Sequence, residues 1–442
     1  MNGPLLESHA VRRTPAGVPS YTGRTPTKDV VARFESGPTL RIERSRERSY
    51  PGLSSEAPPT QSLYEQALGA MKGARRVLDA GCGAGAGSHL LSQHIAEVIG
   101  IDRSPSAVDF ARNVAPDAKF LVADLASTPT VGSVDAAVLI DVLGHVAFPE
   151  RILVALRGAL PLGRKLYVAE AKAYPAQYLK APARRSFSPA TLSSLLTTSG
   201  YEIVSWERTD GPFISCVAAP FSDPAWEALQ GGSQRMAEGA VELATSAFLK
   251  ARGAARKDLA LEAWLAEASL GLAERNGDRA IVSFFKGREL APADPRPLSG
   301  LARIAFAMGD MTEASELAAA ALRLDATEID AACTTALISE RTSPHLAKGL
   351  WLAASNLAPD SLDIALHLAQ IAAQAEDCDL AVWALERVRA YEDDHGITLH
   401  LALASAMLGA GRQKDALLEV RLAEKQRPDD EGVAQLMAQL KE

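Results

Sequence analysis

The sequence predicts a doubly wound α/β domain that closes with an antiparallel hairpin and is followed by an all-α array of stacked helical repeats. Three observations carry this. Between residues 61 and 219, short β-rich runs alternate with helical patterns, as a parallel sheet covered on both faces requires. A glycine-rich turn, Gly81 to Gly87, separates a buried apolar strand from a helix start. From about residue 222 strand patterns vanish, Ala and Leu dominate, and a period of 34 residues sets in.

Each element follows from its own pattern. Strands are expected at 75–80, 97–101, 119–122, 135–140 and 165–170, with helices between them. YEIVSWER (201–208) and FISCVAA (213–219), joined by TDGP, read as the closing hairpin. SFSP (186–189) before ATLSSLL reads as a capped helix start. Residues 1–60 are rich in Pro, Gly, Ser and Arg and are expected to be flexible. The α/β domain is expected over 61–221 and the helical domain over 222–442.

Composition bounds the function. A net charge of −8 gives no argument for a nucleic-acid partner. No apolar run approaches the roughly 20 residues of a membrane span. The segment MNGPLLESHAVRRTP lacks the apolar core of a signal peptide, so a cytoplasmic location is expected. Cys82, Cys216, Cys333 and Cys378 are far apart, which argues against disulfides and against a metal site.

The run RVLDAGCGAGAG (76–87) carries the functional signal. A strand, a glycine turn and a helix N-terminus let backbone approach a ligand closely and favour a negative group. Gly81, Gly83 and Ala86 fit the relaxed dinucleotide fingerprint, which alone is weak. Asp79 stands two residues before the first glycine, where it would repel a pyrophosphate and welcome an ammonium group. A second acid, Asp124, follows the third strand, KFLVAD. The set D-x-G-x-G-x-G, then VIGIDRS and KFLVADLAS, resembles class I S-adenosylmethionine (SAM)-dependent methyltransferases of the type 11/12 kind, with a Rossmann-like fold, over roughly 62–219.

That resemblance implies roles. Asp79 would lie near the SAM ammonium and orient the loop. Gly81, Cys82, Gly83 and Gly85 would form the cofactor-binding loop, with the Cys82 side chain read as compact packing rather than as a nucleophile. Asp102 would grip the ribose diol. Asp124 would accept from the adenine amine beside the Leu125 N–H, and Ile101, Arg103 and Ala123 would flank the ring. The alternative is that these acids cap turns and helices. The lead-in to the first strand also resembles a subgroup in which a basic residue and a Tyr-Glu pair, here Arg48, Tyr64 and Glu65, help close the cofactor site.

The fourth strand exits into IDVLGHVAFPERIL, at the end of the sheet where ligands bind. Asp141 and His145 would face cofactor or acceptor there. His145 reads either as a general base or as a histidine hydrogen-bonded at a helix start. Gly144 stands where the family's "VLEHV" segment has Glu, and PLGR (161–164) replaces a glycine-rich turn. Both departures bear on the acceptor and not on SAM.

In the helical region Gly309 and Gly411 are 102 residues apart, three times 34, and Ala280 precedes Ala314 by 34. This resembles tetratricopeptide repeats (TPR), about five of them from roughly 258, stacked into a superhelix. Ala302, Ala314, Ala318, Ala404 and Ala416 would let helices approach closely. Trp226, Trp264, Trp351 and Trp383 read as core or helix contacts. The repeats would offer a groove for a protein or peptide partner.

Two functions follow. One is a SAM-dependent methyltransferase, leaning to O-methylation of a small molecule, lipid or glycan, with a protein acceptor as the rival. The other is a scaffold that keeps a SAM-binding module and acts through its repeats.

Overall fold

The computed structural model describes residues 60–127, 131–173, 185–207, 212–389 and 396–440. The expectations for residues 1–59, Arg48 among them, and for all of the TDGP turn but Pro212 lie outside these residues. The chain forms two compact units. The first holds the described residues up to Lys172 and Ser186–Pro297; the second holds Ala173, Arg185 and Leu298 onward. No helix among the described residues is long and apolar enough to cross a membrane.

The first unit begins with α1 (Gln61–Ala70), β1 (Arg76–Ala80), α2 (Ala86–Ser92), β2 (Glu97–Asp102), α3 (Pro105–Val114), β3 (Lys119–Val122) and β4 (Ala136–Ile140). A 3-10 turn (Leu143–His145) precedes α4 (Pro149–Leu156) and β5 (Lys165–Ala171). Then come α5 (Pro189–Thr198), β6 (Tyr201–Glu207) and β7 (Phe213–Pro220). The strands form one sheet in the order β3-β2-β1-β4-β5-β7-β6. The first five run parallel, and β7 pairs antiparallel with both β5 and β6. All seven expected strands are present, each with its ends within one residue of the sequence reading.

Alternation along the strands builds two cores. Leu78, Ile101, Leu139 and Val168 pack with α4 and α5 on one face. Val77, Val98, Val138 and Tyr167 pack with Leu63, Tyr64 and Leu91 of α1 and α2 on the other. Each such aliphatic side chain stabilises the fold by about 1.5–3 kcal/mol relative to its exposed state. The start of α5 is capped as its sequence suggests. Ser188 Oγ accepts from the Thr191 N–H at 3.3 Å, and Thr191 Oγ1 accepts from the Ser188 N–H at 2.9 Å.

Four helices also belong to the first unit: α6 (Pro224–Ala237), α7 (Val241–Arg252), α8 (Lys257–Ala273) and α9 (Gly277–Leu290). Polar anchors explain why they stay with the sheet. Arg157, at the end of α4, donates to the Phe221 carbonyl at 2.7 Å and to the Gly200 carbonyl, and lies 4.3 Å over the Trp226 ring. The Trp226 indole donates to the Thr198 carbonyl at 2.9 Å. Arg256 pairs with Glu202 of β6 at 2.6 Å and covers the Phe221 ring at 4.1 Å. Arg296 reaches Glu262 of α8 at 2.9 Å, Asp294 at 2.7 Å and Ser194 of α5 at 2.8 Å. The contact boundary at Pro297 therefore falls later than the change in composition at 222.

The remaining helices are α10 (Arg296–Met308), α11 (Met311–Leu324), α12 (Ile329–Thr342), α13 (Pro344–Leu357), α14 (Leu362–Gln374), α15 (Cys378–Arg389), α16 (Ile397–Gly409), α17 (Gln413–Gln426) and α18 (Glu431–Gln439). From α6 to α17 they form helical hairpins that share one turn. Gly239, Arg275, Gly309, Glu376 and Gly411 take positive φ at the end of the first helix. The next N–H then reaches back five residues: Ala240 to Arg235 O, Asn276 to Gly271 O, Asp310 to Ala305 O, Asp377 to Ala372 O and Arg412 to Met407 O, all at 2.8–3.0 Å. This motif satisfies the carbonyls that a helix end leaves open. Asn276 and Asp310 then cap the second helix, accepting from the Arg279 and Glu313 N–H groups.

The hairpin α12–α13 departs, with Ser343 at φ −154° and ψ 68° in place of a residue with positive φ. The hairpin α6–α7 is an addition to the sequence reading. Gly239 precedes Arg275 by 36 residues, which takes it out of the 34-residue count. The alanines do as expected: Ala302, Ala314, Ala318, Ala404 and Ala416 are buried between helices. Trp351 is buried and stacks on His367 with ring centres 4.4 Å apart. Trp264 and Trp383 lie under Arg252 and Arg387.

Arg296→Ala leaves Glu262 buried with its principal cation removed. Denaturant unfolding of the full chain is expected to show a loss of about 3–5 kcal/mol for the transition of the first unit, as for a broken buried ion pair. A loss below about 1 kcal/mol, the range of an exposed pair, would contradict the anchoring role.

Candidate functional site

The strand order brings the carboxyl ends of β3, β2, β1 and β4 side by side. Their turns carry the residues singled out in the sequence: Asp124 and Leu125, Asp102 and Arg103, the glycine loop, and Asp141 with His145. One rim of the sheet thus gathers groups spread over more than sixty residues of chain.

The loop leaves β1 in left-handed conformation, with φ of 84° at Gly81, 50° at Gly83 and 85° at Gly85. The Gly81 and Cys82 N–H groups donate to the Ile101 carbonyl at 2.8 and 3.0 Å, fastening the loop to the end of β2. Gly85 stands at the N-cap of α2, and its N–H donates to the Cys82 carbonyl. A Cβ on Gly81 would meet Val142 Cγ2 at 2.4 Å, whereas one on Gly83 would meet nothing within 4 Å. Among the glycines of the loop, Gly83 is the one with open space beside it. Cys82 turns its thiol into the core with Val108, Ala111 and Phe120, and burial pushes its pKa far up, so it stays protonated. Its side chain serves packing.

Asp79 is 1% exposed. Ser88 Oγ donates to its Oδ2 at 2.6 Å and Tyr64 Oη to its Oδ1 at 3.1 Å. The Tyr64 ring occupies the space that a Cβ on Gly87 would need. Asp79 thus ties α1 and α2 to the end of β1. Burial raises its pKa to about 6 against the two hydrogen bonds that favour its ionised form. Burial also raises the Tyr64 hydroxyl well above its ordinary value. Glu65 is exposed and accepts from the Gln61 amide at 3.1 Å.

Asp102 accepts from the Gly83 N–H at 3.0 Å through Oδ2 and from the Ser104 N–H at 2.9 Å through Oδ1. It is half-buried beside the open point of the loop, and Arg103 next to it is exposed. Helix α3 is capped by Ser104, which accepts from the Ala107 N–H at 3.3 Å. Ile101 is fully buried in the core and does not flank an open face. Asp124 is exposed and accepts from the Ala126 N–H at 2.9 Å; Leu125 is buried, and Ala123 is half-buried.

After β4, Asp141 takes φ 58°, and its N–H donates to the Ala169 carbonyl at 2.8 Å. His145 Nε2 lies 3.5 Å from Asp141 Oδ1. His145 Nδ1 is buried and finds no hydrogen-bond partner among the described residues. Both side chains are about one-quarter exposed, at 23% and 25%. The sequence reading missed a second acid here. Glu170 of β5 is fully buried against this turn and accepts from the Val142, Leu143 and Gly144 N–H groups. Burial first, then the Asp141 charge, push its carboxyl up to about 8. Its only signal in sequence is a lone acid within an apolar strand.

A carboxyl whose pKa is raised in the folded state binds its proton more tightly there than in the unfolded chain. The stability this gives is complete below the ordinary Asp value of 3.8 and is lost as pH rises through about 6. In thermal melts from pH 4 to 7, Asp79→Asn is expected to remove this fall, so that its stability difference from wild type shifts across that window. A constant difference would contradict the raised value.

Residues 78–168 match the family model described as a methyltransferase domain. A ubiquinone biosynthesis O-methyltransferase of Xanthomonas oryzae pv. oryzae (strain PXO99A) is 35% identical over 127 residues, 27% of this chain and 52% of that protein. Its namesake from Xanthomonas axonopodis pv. citri (strain 306) is 32% identical over 109 residues, 23% of this chain and 46% of that one. The chain spans about half the length of the curated relatives it matches. Among solved structures, magnesium protoporphyrin IX methyltransferase from Synechocystis PCC 6803, with bound SAH, aligns at TM-score 0.35 and 20% identity, over 44% of this chain and 100% of that one. The APC/C hetero-tetramer Cut9-Hcn1 aligns at TM-score 0.41 and 16% identity, over 49% of this chain and 43% of that one. Residues 78–168 thus match a methyltransferase domain, and the strand order around them is that of a Rossmann-like fold.

Proposed function

We propose that this chain is an active SAM-dependent methyltransferase that methylates an oxygen of a small molecule, lipid or glycan in the cytoplasm, and that its TPR-like repeats recruit a partner or the acceptor. The observation that carries the reading is the meeting of Gly83 and Asp102. The one loop glycine with open space beside it bonds to a half-buried carboxylate at the rim of the sheet. That pairing suits a ligand with a flat body and a diol. Bound SAM would supply a methyl group already activated on its sulfonium.

Every other task falls to the chain. Gly81, Gly83 and Gly85 shape the loop, which Asp79 holds from below. Asp102 takes the ribose hydroxyls, and Asp124 with the Leu125 N–H and Arg103 serves the adenine end. Asp141 borders both cofactor and acceptor. His145, beside the Asp141 carboxylate, takes the proton from the acceptor hydroxyl. Positioning and exclusion of water supply most of the rate of such a displacement. The likeness to O-methyltransferases over 127 residues supports oxygen as the acceptor atom. The helical hairpins from α6 to α17 support a second reading, a protein acceptor presented by the repeats.

Calorimetric titration with SAM and with its demethylated product tests the site. Micromolar binding is expected for the wild type, weakened at least about tenfold in Asp102→Ala, the loss of one or two charge-assisted hydrogen bonds. A well-folded wild type that binds neither compound would remove the enzyme reading in favour of a scaffold. With labelled SAM and fractionated lysate, His145→Ala is expected to slow methyl transfer by about 10²–10⁴, the range for a lost general base. An unchanged rate would return His145 to a structural role.

A further inference from the structure

Glu170 has no part in the roles above, yet its surroundings are built around it. It lies on β5 at 0% exposure. Oε1 accepts from the Val142 N–H at 3.0 Å and the Leu143 N–H at 2.7 Å, and Oε2 accepts from the Gly144 N–H at 3.1 Å. Three successive backbone donors aimed at one point form an anion-binding nest, filled here by the chain's own carboxylate. The 3-10 turn Leu143–His145 receives no cap from the side chain of its own N-cap residue, Val142. Glu170 supplies that cap from a neighbouring strand.

The nest sits between the two groups that matter for the acceptor. Asp141 precedes it in left-handed conformation, and His145 closes it, 3.5 Å from the Asp141 carboxylate. Val142, inside the nest, fills the space beside Gly81. Moving the turn would move all three. Glutamine could not replace the acid. Its amide offers one acceptor oxygen and would set an N–H₂ donor against a backbone N–H, whereas above its midpoint of about 8 the carboxylate only accepts. The Asp141 charge acts on Glu170.

We propose that Glu170 is a positioning residue that sets the turn 141–145, aiming Asp141 and His145 at the acceptor side of the site and seating Gly81 of the cofactor loop through Val142. The assignment rests on the methyl-transfer reading only for what those side chains are aimed at.

Hydrogen exchange by mass spectrometry on the full chain tests it, with wild type, Glu170→Gln and Glu170→Asp compared above the Glu170 midpoint of about 8. Glu170→Gln is expected to exchange at least about tenfold faster over Asp141–Val146, as the loss of one hydrogen bond to a charged group implies, with α2 and α8 unchanged. Diethylpyrocarbonate is expected to modify His145 faster in the same variant, relative to the exposed His89 and His94. Glu170→Asp, which keeps the charge on a shorter arm, is expected to recover part of both. Unchanged protection over Asp141–Val146, or uniform acceleration across the first unit without recovery in Glu170→Asp, would overturn the proposal. Titration of the wild type with SAM runs alongside. Absence of binding would remove the methyl-transfer reading and leave the exchange data to decide Glu170.

Discussion

Where a parallel strand ends, the chain passes into a turn whose N–H groups have lost their neighbouring strand. Those groups need acceptors, and the rim they occupy must stay clear for a ligand. Carboxylates meet both demands in the first unit. Asp102 serves Gly83 and Ser104, Asp124 serves Ala126, and Glu170 serves Val142, Leu143 and Gly144. At the opposite end of the sheet Asp135 does the same for Arg75 and Arg76. A carboxylate can accept several bonds without donating any, so one short side chain fixes a whole turn. The turns along this rim are thus shaped by these acids.

The two deeply buried acids act differently from those at the rim. Asp79 and Glu170 lie beneath the surface and hold the turns from behind. Asp79 is gripped by hydroxyls, Tyr64 and Ser88, and joins two helices to the end of β1. Glu170 is gripped by backbone and joins two strands across a turn. Both therefore shape the rim without reaching into the space above it. This explains how a loop of small residues, which by itself would be mobile, can present Gly83 in one place.

Much of this was legible in the sequence because the signals are local. A strand of alternating or unbroken apolar residues, the glycine loop, and the Ser188–Pro189 helix start each lie within a few residues of their partners. Glu170 was not legible, since its donors lie 26–28 residues earlier and nothing around it forms a motif. Tyr64 was suspected only by resemblance, and its partner Asp79 lies fifteen residues on. The hairpin α6–α7 escaped the count because its spacing is 36. Elsewhere a helix-ending turn is set by backbone conformation rather than by glycine itself. Arg275 and Glu376 fill that position with positive φ, where a search for Gly finds nothing.

Asp141 adds a point about engineering. Its φ of 58° is one that L-residues other than glycine enter at a cost of about 1–2 kcal/mol. Glycine at 141 would relax that strain and take away the carboxylate beside His145. A screen for thermostability alone would therefore favour variants at this position that have lost a polar group of the site. Stabilising this protein without disarming it means looking elsewhere, at the exposed helix faces far from the rim, where small gains carry no such exchange.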